Sequence, residues 1–230
     1  WFWGAVGLGA FWGFLRRVPP APCLELSVAG TFLQVLGEPR LLRLNLGVFT
    51  LHSIQIAMWV AVPALLLQLA DLPLSRHWMV YLPAVLVAIV MLWPAMMQAE
   101  RYMRMAQVYS FAIGLLSLTQ AGFLGVLAQD GLTEGTATLL IFILLAVFFS
   151  GFNILEATQP SLISRIAPAA GKAQALGIYN TLQSLGLFAG GAVGGLLLQI
   201  GGYMAVFAGC GLLALIWLAI SLKWPARLPA

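Results

Sequence analysis

Glu156 is the one acidic residue that falls inside a long apolar run of this chain. A charged side chain in such a place is costly, so it is where chemistry is looked for first. Ser150, Asn153 and Glu156 recur every three residues and form a polar stripe on one helical run. Asn45, His52, Gln55 and Trp59 share a face on an earlier run, and Tyr179, Asn180, Gln183 and Ser184 form a polar patch on a later one. Such groups in apolar helices face either neighbouring helices or a water-filled cavity. The chemistry open to them is therefore binding of a polar solute, transfer of a proton, or hydrogen bonding between helices. Histidine is the residue type that exchanges a proton near neutral pH, which singles out His52, although a lone histidine also serves as a hydrogen-bonded packing residue. Glu156 has two readings. It couples to protons or cations at the mouth of a cavity, or it forms a gating ion pair with Arg101, Arg104 or Arg165. Its distance of roughly 30 Å along a helix from Thr136 favours the ion pair, near one membrane boundary.

Other chemistries are excluded or unsupported. His52 and Ser53 are adjacent on a helix and point in different directions, so they make no nucleophile–base pair. A Gly-x-Ser-x-Gly elbow is absent. Cys23 and Cys210 lie in distant segments and give neither a disulfide framework nor a metal-ligand spacing. No catalytic residue, metal or cofactor is expected. Gly186, Gly190 and Gly194, with Gly191 and Gly195 beside them, make a small-residue ridge for close helix packing. No strand precedes them, so they are not a nucleotide-binding loop.

The elements that position these residues follow from composition. The chain is 62% hydrophobic and 8% charged, with a mean hydropathy of +0.99. Soluble domains carry about 25% charged residues, so a bilayer must be the main solvent. Apolar runs at 44–69, 78–97, 105–128, from 136 to about 166, 173–200 and 203–222 are each long enough to cross as helices. They lack the alternation of a β-barrel. The expected fold is an all-α membrane protein, a six-helix transmembrane bundle preceded by a partial helix. Ten of the eleven Lys and Arg residues sit in alternate gaps: Arg16, Arg17, Arg40 and Arg43; Arg101 and Arg104; Arg165 and Lys172; Lys223 and Arg227. The gaps between hold Arg76 and the acids Asp71, Asp130 and Glu134. By the positive-inside rule the basic gaps and the C-terminus are cytoplasmic. The positive charge reads as topology and attraction to anionic lipid, so no nucleic-acid partner is expected. Trp78, Tyr81, Trp93, Tyr102, Tyr203 and Trp224 fall near the expected interfaces, as an aromatic belt does.

Four regions result. Residues 1–15 read as the end of a truncated transmembrane helix, and 16–43 as a cytoplasmic loop. In that loop Leu24, Leu26, Val28, Phe32, Leu33 and Leu36 suit a short surface helix. Residues 44–222 form the bundle and 223–230 a cytoplasmic tail. Pro63, Pro83, Pro94 and Pro160 mark possible kinks.

The stretch Ala167-Pro-Ala-Ala-Gly-Lys-Ala-Gln-Ala-Leu-Gly-Ile-Tyr-Asn-Thr-Leu-Gln-Ser-Leu-Gly, followed by Gly190-Gly191 and Gly194-Gly195, resembles the loop and helix 11 of a major facilitator superfamily transporter. Asn153-Ile-Leu-Glu-Ala-Thr-Gln-Pro-Ser-Leu-Ile-Ser-Arg resembles helix 10 of its YajR-like drug–proton antiporters. The resemblance implies the C-terminal half of a twelve-helix fold, from the end of helix 6 through the central loop to helix 12. It implies secondary active transport of a small organic solute, proton-coupled efflux by alternating access, in a bacterial inner membrane. The implied partners are the solute, protons, the lipid bilayer and the missing N-terminal six-helix half. In that fold helices 7, 8, 10 and 11 line the cavity, which makes Asn45, His52, Gln55, Trp59, Ser150, Asn153, Tyr179 and Gln183 cavity candidates. Glu156, Arg101, Arg104 and Arg165 are gating or ion-pair candidates. Glu100 and Arg104 stand four residues apart where a pseudo-repeat of the family's diagnostic loop would fall, but its Gly and Asp are absent. A transporter-like membrane sensor or scaffold fits the same sequence.

Overall fold

Every apolar run forms a helix, the state in which a single segment satisfies its own backbone groups in a medium without water. The computed structural model describes residues 2–17, 35 and 37–223. The expected surface helix of the 16–43 loop, Cys23 and the tail from Trp224 onward lie outside the described residues. The helices are α1 (Phe2–Arg17), α2 (Pro39–Gln68), α3 (Trp78–Glu100), α4 (Met105–Leu127), α5 (Glu134–Ile166) and α6 (Lys172–Ser221).

Helix α2 begins five residues before the expected span. Pro39 occupies its first turn, where a missing N–H costs nothing, so the helix takes in Arg40 and Arg43 before the apolar stretch begins. Thr133 starts α5, its hydroxyl accepting from the backbone N–H of Thr136 at 3.3 Å. Helix α5 then runs 33 residues, about 48 Å, so its basic end projects past a core of about 30 Å.

As one rod, α6 would be about 75 Å long, far beyond any bilayer. It breaks at Gly201 and Gly202, and Gly202 has φ 63° and ψ −160°. That backbone region is essentially restricted to glycine. The break yields two limbs, residues 172–200 and 203–221, that fold back on each other. Leu197 reaches Gly209 across the turn. The fifth and sixth expected spans are these limbs.

The α2 helix is the hub. In its most apolar stretch 61% of residues are buried inside the bundle, against 17% for α3. The first limb of α6 lies against α2 along Gly186, Gly190 and Gly194. A Cβ on Gly194 would lie 2.8 Å from Ala57 Cα, and one on Gly190 would collide with the Ser53 carbonyl. Gly191 meets only Ile56 at 3.5 Å, and Gly195 has nothing within 4 Å, so these two stand off the ridge. The second limb packs on α4, with Phe123 stacked on Phe207 at 4.5 Å and Tyr109 edge-on to Trp217 at 6.0 Å. Helix α5 packs against α2, α3 and α4. Trp78, Trp93 and Tyr102 are exposed. Tyr81 departs from the expected belt, because its ring turns inward onto Trp59 at 5.0 Å.

Candidate functional site

His52, on the hub helix, is 3% exposed, and its two ring nitrogens have different tasks. Nδ1 lies 3.0 Å from the Val48 carbonyl oxygen one turn back. A carbonyl only accepts, so Nδ1 carries a proton and the open position is Nε2. Nε2 lies 2.8 Å from the Gln183 amide nitrogen on α6 and 3.4 Å from Glu156 Oε1 on α5. Phe152 closes one side of the ring, edge-on at 5.7 Å. Three helices thus bring an imidazole, a carboxyl and an amide to one point inside the bundle.

The arrangement has a place for one shared proton. With the ring neutral, Nε2 accepts from the Gln183 amide, and Glu156 Oε1 is a buried oxygen without a hydrogen-bond donor. A proton added between Nε2 and Oε1 gives the two a shared bond. Rotating the Gln183 amide by half a turn presents its oxygen in place of its nitrogen, so it can serve either state. The 3.4 Å gap is longer than a charge-assisted bond of about 2.8 Å, so the two groups are neighbours without a formed hydrogen bond. The Glu156 side chain is 34% exposed, which leaves the site an opening.

The ion-pair reading of Glu156 changes partner. Arg101, Arg104 and Arg165 are exposed, and among the described residues Glu156 pairs with His52 instead. Arg165 follows Glu156 by nine residues, which on a helix is half a revolution away and about 14 Å along the axis. Glu100 ends α3 and Arg104 precedes α4, so their four-residue spacing is not helical and no ion pair forms between them.

The polar stripe on α5 divides. Each three-residue step turns about 60° back, so Ser150 and Glu156 face directions about 120° apart. Ser150 donates to the Ala146 carbonyl at 2.7 Å and lines a groove beside α3 and α4, away from His52. Asn153 and Gln55 are half-buried. Trp59 packs on Tyr81 and on Phe149 at 6.1 Å, forming an aromatic wall. Asn45 is buried with its side-chain oxygen unpaired. Tyr179 lies one turn from Gln183 on α6, beside the cluster: its hydroxyl donates to Gln159 Oε1 at 3.3 Å, and Gln159 Nε2 donates to the Tyr109 hydroxyl at 3.4 Å. This buried chain joins α4, α5 and α6. Asn180 and Ser184, one face round from Tyr179, are exposed.

Sequence reasoning missed Gln159, Tyr109 and Phe152. Gln159 continues the three-residue stripe beyond Glu156, which is a readable signal. Tyr109 and Phe152 sit among many apolar neighbours and carry no mark of their own.

The comparisons with known proteins agree with this architecture. No family model matches. The inner membrane transport protein YajR of Escherichia coli is 36% identical over 196 residues, 84% of this chain and 41% of that protein. This likeness supports the resemblance to major facilitator superfamily transporters. An uncharacterized transporter of Buchnera aphidicola is 24% identical over 88% of the chain and 50% of its own length. The multidrug resistance protein MdtH of Aeromonas hydrophila is 27% identical over 75% of the chain and 41% of its own length. The chain therefore spans half or less of each of these relatives.

Proposed function

We propose that this chain is the C-terminal half of a proton-coupled secondary transporter that exports a small organic solute. The relatives named as transport proteins support the general class. The observation that carries the proton coupling is the His52, Glu156 and Gln183 cluster, which has one place for a proton and one carboxyl partly open to the bundle surface. The surface of α6 that carries the exposed Asn180 and Ser184 is left for the N-terminal half. Solute would bind between the halves, against the aromatic wall of Trp59, Tyr81 and Phe149. Rocking of one half against the other would open the site to each side in turn. Arg101, Arg104, Arg165 and Lys172 would then face the cytoplasm of a bacterial inner membrane, with the C-terminus on the same side.

The test is full-length protein containing this chain, reconstituted in liposomes with a pH-sensitive dye and a panel of solutes. Wild type should move protons when a transported solute is added. E156Q should abolish solute-driven proton movement while leaving solute–solute exchange. Transport with no proton movement in wild type would refute the coupling. An unchanged pH dependence in E156Q would remove Glu156 from it.

A further inference from the structure

A groove of about 700 Å³ lies on the far side of α5 from the His52 cluster, between α3 and α4. It runs from Val87 to Gln98 on α3, from Arg104 to Leu115 on α4, and from Phe142 to Ile154 on α5. Twelve or thirteen residues of helix rise about 17–18 Å from first to last, somewhat more than half of a 30 Å hydrocarbon core. The groove is thus one leaflet deep. Its walls are apolar, since Ser150 spends its hydroxyl on its own helix. All of its other polar groups, Gln98, Arg104 and Gln107, gather at the basic end. No acidic residue lines it, and among the described residues no carboxylate pairs with Arg104.

We propose that the groove holds one anionic phospholipid of the leaflet at the basic end. An acyl chain would lie between α3 and α4 and the phosphate would meet Arg104. The two glutamine amides supply further donors to phosphate oxygens. A helix from elsewhere in the protein would fill the apolar part but has no need of a cation and two amides at one end only. The solute is also a poor fit, because the groove faces away from the proton site.

The test is native mass spectrometry of the full-length transporter released from mixed phosphatidylglycerol and phosphatidylcholine of the same chain length. Wild type should retain phosphatidylglycerol in preference. R104Q, a change at an exposed side chain, should lower that preference about fivefold, the effect of one basic residue at a membrane surface. R165Q, equally exposed at the same end but outside the groove, should leave it unchanged. A95F, which fills the groove, should reduce retention of both lipids. Excess inorganic phosphate should not displace the lipid, because the apolar walls hold the chain. The proposal falls if wild type shows no preference, if R165Q matches R104Q, if phosphate alone displaces the lipid, or if A95F retains both lipids as wild type does.

Discussion

Replacing Gly190 with Ala should destabilise the bundle, while the same change at Gly195, five residues along the same limb, should not. A Cβ at Gly190 would lie 2.8 and 2.9 Å from Cα and C of Ser53. Carbon atoms reach their best separation near 3.5 Å, so α2 and α6 must part by about 0.6 Å. The obstruction is backbone, which cannot rotate away as a side chain can. Parting also stretches the longer of the two contacts of the Ser53 hydroxyl, 3.2 Å to the Gly186 carbonyl, while the 2.8 Å bond to Phe49 on its own helix remains. Forcing a methyl into a packed contact costs about 1–3 kcal/mol, and an interhelical hydrogen bond in a membrane contributes about 0.6 kcal/mol. The greater helix preference of Ala returns up to about 1 kcal/mol. The net loss is about 1–3 kcal/mol, a fall in melting temperature of about 2–10 °C for a chain of this size. At Gly195 nothing lies within 4 Å, so only the favourable helix term remains. The assay is thermal unfolding of purified full-length protein with a thiol-reactive fluorophore, which reaches buried cysteines such as Cys210 only when the bundle opens. If G190A and G195A melt within a degree of each other, the close-contact reasoning is wrong.

G202A should lower the melting temperature of the same preparation by several degrees, since its backbone geometry costs other residues about 1–3 kcal/mol. Y109F should cost about 1 kcal/mol by leaving the Gln159 amide without an acceptor, and Y179F a similar amount by leaving Gln159 Oε1 without a donor. A double mutant losing less than the sum of the two would show that they share one network, and full additivity would show that they do not. In the liposome assay H52Q, like E156Q, should lose solute-driven proton movement, and retention of that movement would separate the imidazole from the coupling.

The helices were legible because an apolar run of about twenty residues admits few other structures in a bilayer. The break at Gly201–Gly202 was legible for a similar reason, as two glycines between two such runs. The packing ridge was legible in part. The four-residue period of Gly186, Gly190 and Gly194 follows the α2 surface, but the neighbouring Gly191 and Gly195 carry the same letters and point away. Side-chain partners were the least legible. Glu156 was paired with arginines by charge and depth, while its rotation about α5 aims it at His52. Ser150 shares the polarity of Glu156, yet helical phase turns it to the outer groove, while Tyr179, on the face of Gln183, is taken up by its bond to Gln159. Polarity gives a residue's preference, and the direction it faces depends on where the neighbouring helices lie.

From Ala173 to Leu222 the chain carries no charged residue at all, and Lys172 and Lys223 flank it. The turn at Gly201–Gly202 therefore has nothing polar enough to hold the ribosome-side and far-side limbs apart during synthesis. The limbs meet each other at Leu197 and Gly209, which leaves the glycine ridge of the first limb for α2. This segment should enter the bilayer as a single hairpin, its tip slipping across with no charge to drag through and its two lysines stopping it at the surface where synthesis began. About 165–180 Å of extended chain are thereby placed in one event, leaving a ready-made surface against the hub helix.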